Sequence, residues 1–197
     1  MRNTKLRILT EGAIMVALAA VLSFIKIFQL PWGGSITLLS MLPVIVFSIK
    51  RGIKPGFAAA FVYSLIQLGQ GIAIDGLLGW GLTPFLLICC ILLDYIIPFT
   101  LLGTAGLFRK KGFWGWIAGT VLVILIRFTS HFISGISIWQ TIGKLWDGFS
   151  TENIYLYSAA YNGSFMLPEL VFTTIGAAVL FGVPVFKRLL MNNENDF

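Results

Sequence analysis

The sequence predicts an all-α integral membrane protein: six transmembrane helices in a single domain, residues 1–197, with both termini cytoplasmic. Three observations carry this reading. Charged residues make up 11% of the chain and hydrophobic ones 57%, against about 25% charged in an ordinary soluble domain, so a polar shell cannot be built and apolar surface must face lipid. Six long apolar runs follow one another without the alternation of barrel strands, which leaves helices as the way to satisfy every backbone group in hydrocarbon. Finally, 11 of the 14 Lys and Arg fall in the termini and in two alternate loops, and the positive-inside rule places those segments in the cytoplasm.

The runs cover residues 8–28, 35–49, 57–74, 80–108, 114–138 and 155–186. The first follows Arg2, Lys5 and Arg7; with Glu11 ahead of its core and no clear cleavage site after it, it is read as a retained span rather than a signal peptide. The second ends at Lys50, Arg51 and Lys54, and the third runs from there to an outer loop at Asp75. The fourth is too long for one straight helix, so its start near 79–84 is expected to be irregular. Within it, Pro98 cannot donate to the Asp94 carbonyl and predicts a kink. Arg109, Lys110 and Lys111 separate it from the fifth run. The sixth ends at Lys187 and Arg188, and Pro168 predicts a second break within it. The last outer loop, 140–154, with Trp146 and flanked by Tyr155, is the one long enough to act as a lid.

A pI near 9.6 could suggest nucleic acid. The basic residues nevertheless lie in short clusters between apolar runs, as topology signals, and no nucleic-acid partner is expected. Cys89 and Cys90 stand side by side in an apolar run, where packing as small hydrophobes is the simpler reading. There is no GxxxxGK[ST] phosphate loop, no HExxH and no Cys/His ligand set, so neither ATP hydrolysis nor a metal or other cofactor is expected in this chain.

Charged groups in hydrocarbon cost about 2.5–3.5 kcal/mol each and mark function. Here they are Asp94, Arg127, His131 and Glu169, with Asn162 and Gln67 as neutral companions. At about 1.5 Å per residue from the cytoplasmic end of each run, Asp94, Arg127, His131 and Glu169 stand about 20–27 Å up, in the outer half of the bilayer, and Asn162 stands further out. The cytoplasmic half is almost wholly apolar. That distribution describes an outward-facing pocket, since a channel needs polar lining from face to face. Arg127, His131, Gly135 and Trp139 are spaced by four and share one helical face. Gly135 reads equally as a helix-packing residue and Trp139 as an interfacial one. Asp94 and Arg127, at similar depth, also admit a structural ion pair. Asp94 and Glu169 against Arg127 leave a formal balance of minus one. With Tyr95, Tyr157, Tyr161 and Trp139 nearby, such a pocket suits an organic cation with an aromatic ring.

The stretches TEGAIMVALAAVLS, PWGGSITLLSMLPVIVFSIKRG, LLDYIIPFTLLGTAGLF, IRFTSHFISGISIW and YSAAYNGSFMLPE occur in that order. Together they resemble the substrate-binding (S) components of energy-coupling factor vitamin transporters, most closely the thiamin-specific branch. The resemblance implies a thiamin binder of the plasma membrane, working with a transmembrane coupling protein and two cytoplasmic ATPases. It implies that Asp94 faces the thiazolium with Tyr95 beside it, and that His131, Gly135 and Trp139 form the pocket stripe. By the same likeness Tyr157 and Asn162 hold the aminopyrimidine, with Tyr63 and Trp32 at or near two further family positions; Arg127 and Glu169, read above as charged groups at membrane depth, complete the candidate ligand set. Ala13 and Ala17 match the small-residue pattern by which the first helix docks on the coupling protein. The chain departs from that pattern in having Asp94 for a glutamate and Tyr63 for a tryptophan, and in lacking a His and a Tyr in the loop GIAIDGLLGW. A different vitamin or a thiamin precursor on the same architecture is the near alternative. An intramembrane enzyme using Ser130, His131 and Asp94 is the distant one, because neighbouring helical residues point about 100° apart.

Overall fold

The computed structural model describes residues 4–30 and 33–191. Arg2 and Trp32 lie outside the described residues. Helix α1 spans Thr4–Phe24 and buries Gly12, Val16, Ala19 and Ser23 along one face. Leu9, Ile14, Leu18 and Val21 stay exposed on the others, as lipid-facing side chains should.

The chain then leaves the helical state. Strands β1 (Lys26–Gln29) and β2 (Ser35–Thr37) pair antiparallel, and Leu39 has a positive φ of 58°. The expected second span is therefore shorter than the apolar run: helix α2 begins at Leu42 and ends at Arg51, ten residues or about 15 Å. The β-branched Ile36 and Thr37 suit the strand, and Pro43 sits in the first helical turn, where its missing N–H costs nothing. The extended segment is tolerated at membrane depth because it lines a cavity. Helix α2 is almost entirely buried.

Helix α3 is Ile53–Ala73. After a 3₁₀ turn at Leu77–Gly79 and an N-cap at Thr83 comes helix α4, residues 84–111, so the start of the fourth run is irregular as expected. It runs as α-helix through Pro84–Cys90, widens to a π-helix over Ile91–Ile96, returns to α at Ile97–Thr100 and tightens to 3₁₀ over Leu101–Lys111. The π segment ends just before Pro98, where the proline's missing donor predicted a disturbance. Helix α4 crosses α3 at very close range: a Cβ on Gly103 would stand 2.7 Å from the Phe57 backbone, and one on Gly106 2.6 Å from that of Gly52. Small residues permit that approach in lipid.

The chain reverses at Gly112 (φ 68°) into helix α5, Gly112–Ser134, which closes with a π-helix over Gly135–Trp139. A second hairpin, β3 (Gly143–Trp146) and β4 (Phe149–Thr151), leads to helix α6, Ile154–Gly182. Pro168 lies inside α6 without ending it; the break expected there is absent, since proline's fixed φ is itself helical and one ladder bond is lost. The sixth run is instead divided at Val183, and Pro184 starts a separate short helix α7, Pro184–Met191.

Among the described residues, four stretches are long and apolar enough to cross a membrane: Thr4–Phe24, Ile53–Ala73, Pro84–Trp139 (α4 and α5 together) and Ile154–Gly182. With the short α2, that makes the six-helix bundle predicted above. Its two ends differ. One carries both hairpins; at the other, Glu11 holds Arg51 through two contacts of 2.9 and 2.7 Å and meets Lys50 and Arg7 at 3.2 Å each.

Candidate functional site

A cavity opens at the hairpin end, walled by the hairpin-side parts of α1, α3, α4, α5 and α6 and by the first hairpin. Its organising group is Asp94, on the π segment of α4. Oδ1 meets His131 Nδ1 at 3.0 Å. Oδ2 accepts from Ser134 Oγ at 2.5 Å, Cys90 Sγ at 3.3 Å and Trp139 Nε1 at 3.4 Å. His131 in turn receives a hydrogen bond on Nε2 from Arg127 Nε at 3.3 Å. Both of its contacts are hydrogen bonds only when the ring carries its proton on Nδ1 and donates it to Asp94. The alternative of a direct Asp94–Arg127 ion pair thus gives way to a relay with the imidazole in the middle. Arg127 also reaches Met41 Sδ at 3.1 Å and lies 4.5 Å from the centre of the Phe99 ring.

The four-residue stripe of α5 holds together: Arg127, His131, Gly135 and Trp139 all line the cavity, facing Tyr157, Tyr161 and Asn162 of α6. Gly135 also proves to be a packing residue, because a Cβ there would stand 2.1 Å from Ser158 Oγ and 2.9 Å from Ser158 Cβ. Ser158 cannot simply swing away, since its hydroxyl donates to the Phe132 carbonyl at 3.0 Å. Gly135→Ala is expected to cost about 1–3 kcal/mol by overpacking, read as a lowered melting temperature in detergent; an unchanged melt would show that α6 can yield. Asn162 commits its Nδ2 to Ser158 O at 2.9 Å, Ser158 Oγ at 3.2 Å and His131 O at 3.3 Å. That leaves the acceptor Oδ1 for a ligand.

Two candidates stand beneath the cavity rather than in its wall. Glu169 is 1% exposed; its Oε1 accepts from the amide and hydroxyl of Thr37, a lining residue, at 2.6 Å each. Tyr63 is fully buried and meets Phe99, a lining residue, edge to face with centroids 5.5 Å apart. The lining also includes charges that the reading from sequence did not place there. Lys26 and Asp75 pair at 3.0 Å on the rim. Asp75 and Asp94 against Lys26 and Arg127 make the formal balance of the lining zero rather than minus one; the negative character is local to Asp94. Cys90 is buried as expected of a small hydrophobe, yet it also bonds the key carboxylate. In the expected lid, Trp146 stacks on Phe149 at 5.2 Å, and only Thr141 of the stretch after Trp139 lines the cavity. The first hairpin contributes Gly33, Gly34, Ser35 and Thr37 and covers more of it.

The family model described as Thiamine transporter protein (Thia_YuaJ) matches residues 9–186. The chain belongs to this thiamine transporter family. Among its relatives is the thiamine transporter ThiT of Bacillus subtilis (strain 168), 28% identical over 187 residues that span 88% of this chain and 89% of that one. The thiamine transporter ThiT of Lacticaseibacillus paracasei is 26% identical over 205 residues, 92% and 90% of the two chains. The fold superposes on a solved structure of ThiT from Listeria monocytogenes with a TM-score of 0.73, at 24% identity, over 95% of this chain and 99% of that one.

Membership of the thiamine transporter family makes this a multi-pass plasma-membrane protein with a role in transport rather than catalysis. The geometry agrees on the enzyme alternative: Ser130 Oγ donates to the Leu93 carbonyl at 2.6 Å, into the α4–α5 interface, and not toward His131. Ala13 and Ala17, singled out in α1, are both exposed on its surface.

Proposed function

We propose that this chain captures thiamin in the hairpin-covered cavity and is the substrate-binding subunit of an energy-coupling factor transporter. The observation that carries the reading is the convergence on one cavity of Asp94, the α5 stripe and the aromatic residues of α6, in a chain whose relatives are named thiamine transporters. Thiamin joins a cationic ring to a flat aminopyrimidine. Asp94 supplies the opposite charge, Trp139, Tyr157 and Tyr161 supply ring faces, and Asn162 Oδ1 is an acceptor for an amino group.

The end that bears Arg7, Lys50, Arg51, Lys54, Arg109, Lys110 and Lys111 faces the cytoplasm by the positive-inside rule, so the cavity opens outward and both termini lie inside. Exposed Ala13 and Ala17 give α1 a face on which another helix can approach closely. On this reading that helix belongs to a transmembrane coupling protein, and two cytoplasmic ATPases supply the hydrolysis for which this chain has no phosphate loop. Thiamin is a ligand carried across, and no cofactor is required.

Titrating the purified protein with thiamin is expected to quench tryptophan fluorescence at nanomolar ligand, through Trp139. Silence toward thiamin with a response to another vitamin or to a thiamin precursor would keep the architecture and change the ligand.

A further inference from the structure

Trp80 lies in the outer loop between α3 and α4, the loop in which the sequence lacks a histidine and a tyrosine, and its indole lines the cavity. It meets Trp139 with ring centroids 5.4 Å apart and planes at 63°, so the two indoles make an aromatic corner. One member of that corner, Trp139, points its Nε1 at Asp94 Oδ2. The position of Trp80 is fixed from three sides. Its own Nε1 donates to the Asp75 carbonyl at 3.0 Å, folding the loop on itself. The Asp75 carboxylate receives Lys26 Nζ at 3.0 Å and Gln29 Nε2 at 2.8 Å, which ties that loop to the first hairpin. Gly33 of the hairpin turn lies over the ring edge, where a Cβ would stand 3.5 Å from it.

We propose that Trp80 is a specificity-determining residue that selects a positively charged ring over a neutral one of the same shape, an inference that rests on the reading of thiamin as ligand. Tryptophan offers the strongest cation–π face among the side chains. In this corner it acts alongside a carboxylate, and Lys26, the one lysine lining the cavity among the described residues, is paired with Asp75, so its charge is offset there. Asp75 is a positioning residue: it holds the loop that presents Trp80.

Calorimetric titration of the wild-type protein, Trp80→Leu and Trp80→Phe tests this, with thiamin and with an analogue whose thiazolium is replaced by a neutral aromatic ring. Calorimetry avoids the loss of fluorescence signal that the substitutions themselves cause. Trp80→Leu is expected to raise the Kd for thiamin about 3- to 30-fold and that for the neutral analogue by less than about threefold. Trp80→Phe, which keeps a weaker ring face and fills the corner, is expected to fall between. Should the leucine variant fail to fold, the ratio of the two ligands' affinities in the phenylalanine variant gives the same answer. Equal thiamin affinity in wild type and variants, or equal losses for both ligands, would overturn the inference alone. No thiamin binding by the wild-type protein would overturn the ligand assignment and this inference with it.

Discussion

Asp94→Asn is expected to weaken thiamin binding by about tenfold to a hundredfold, the range that a charge-assisted contact of about 1.5–3 kcal/mol implies. The effect has two parts. The carboxylate now accepts from His131, Ser134, Cys90 and Trp139. An asparagine must turn its NH₂ toward one side of that set, setting donor against donor, so the cavity wall itself is disturbed. That part falls equally on any ligand of the same shape. The second part is the loss of the one lining carboxylate whose charge is not matched by a direct Lys or Arg contact among the described residues, and it falls on cations alone. Thiamin should therefore lose more than a neutral-ring analogue. Equal losses measured by calorimetry would remove charge pairing from the account and leave Asp94 as scaffold.

The second large effect is expected at Glu169, which stands behind the cavity wall and is not among its lining residues. Glu169→Leu strands the Thr37 amide, now bonded to Oε1, and leaves the Thr37 hydroxyl with Ser40 Oγ in place of the carboxylate. A buried donor left without its acceptor costs about 1–3 kcal/mol, so a lowered melting temperature is expected, with ligand binding weakened because Thr37 anchors the strand that covers the cavity. Glu169→Gln keeps an acceptor oxygen of the same reach. If the acceptor is what matters, it restores most of the stability; if it melts as low as the leucine variant, the carboxyl group itself rather than one acceptor oxygen is the essential part.

The stripe of Arg127, His131, Gly135 and Trp139 was legible in the amino-acid sequence because helical periodicity is local: four residues are one turn whatever surrounds them. The disturbance before Pro98 was legible for the same reason, as a missing N–H is a property of the residue. So were the apolar runs and the basic clusters between them. Pro168 shows the limit, since an intact helix absorbed a break that chemistry permitted but did not compel.

What only the tertiary structure decided is which distant groups meet. Asp94 bonds His131 rather than Arg127, Lys26 of the first hairpin closes on Asp75, Thr37 bonds Glu169 across 132 positions, and Trp80 turns inward to Trp139. These pairings follow from how each helix is rotated and shifted against its neighbours. In a bilayer, hydropathy does not report that rotation, because a side chain facing lipid and one facing the bundle are equally apolar. The shortened second span has a related cause: residues 35–41 are as apolar as a helix needs, and only the cavity beside them, with Glu169 waiting for the Thr37 amide, makes the extended backbone the better-satisfied one.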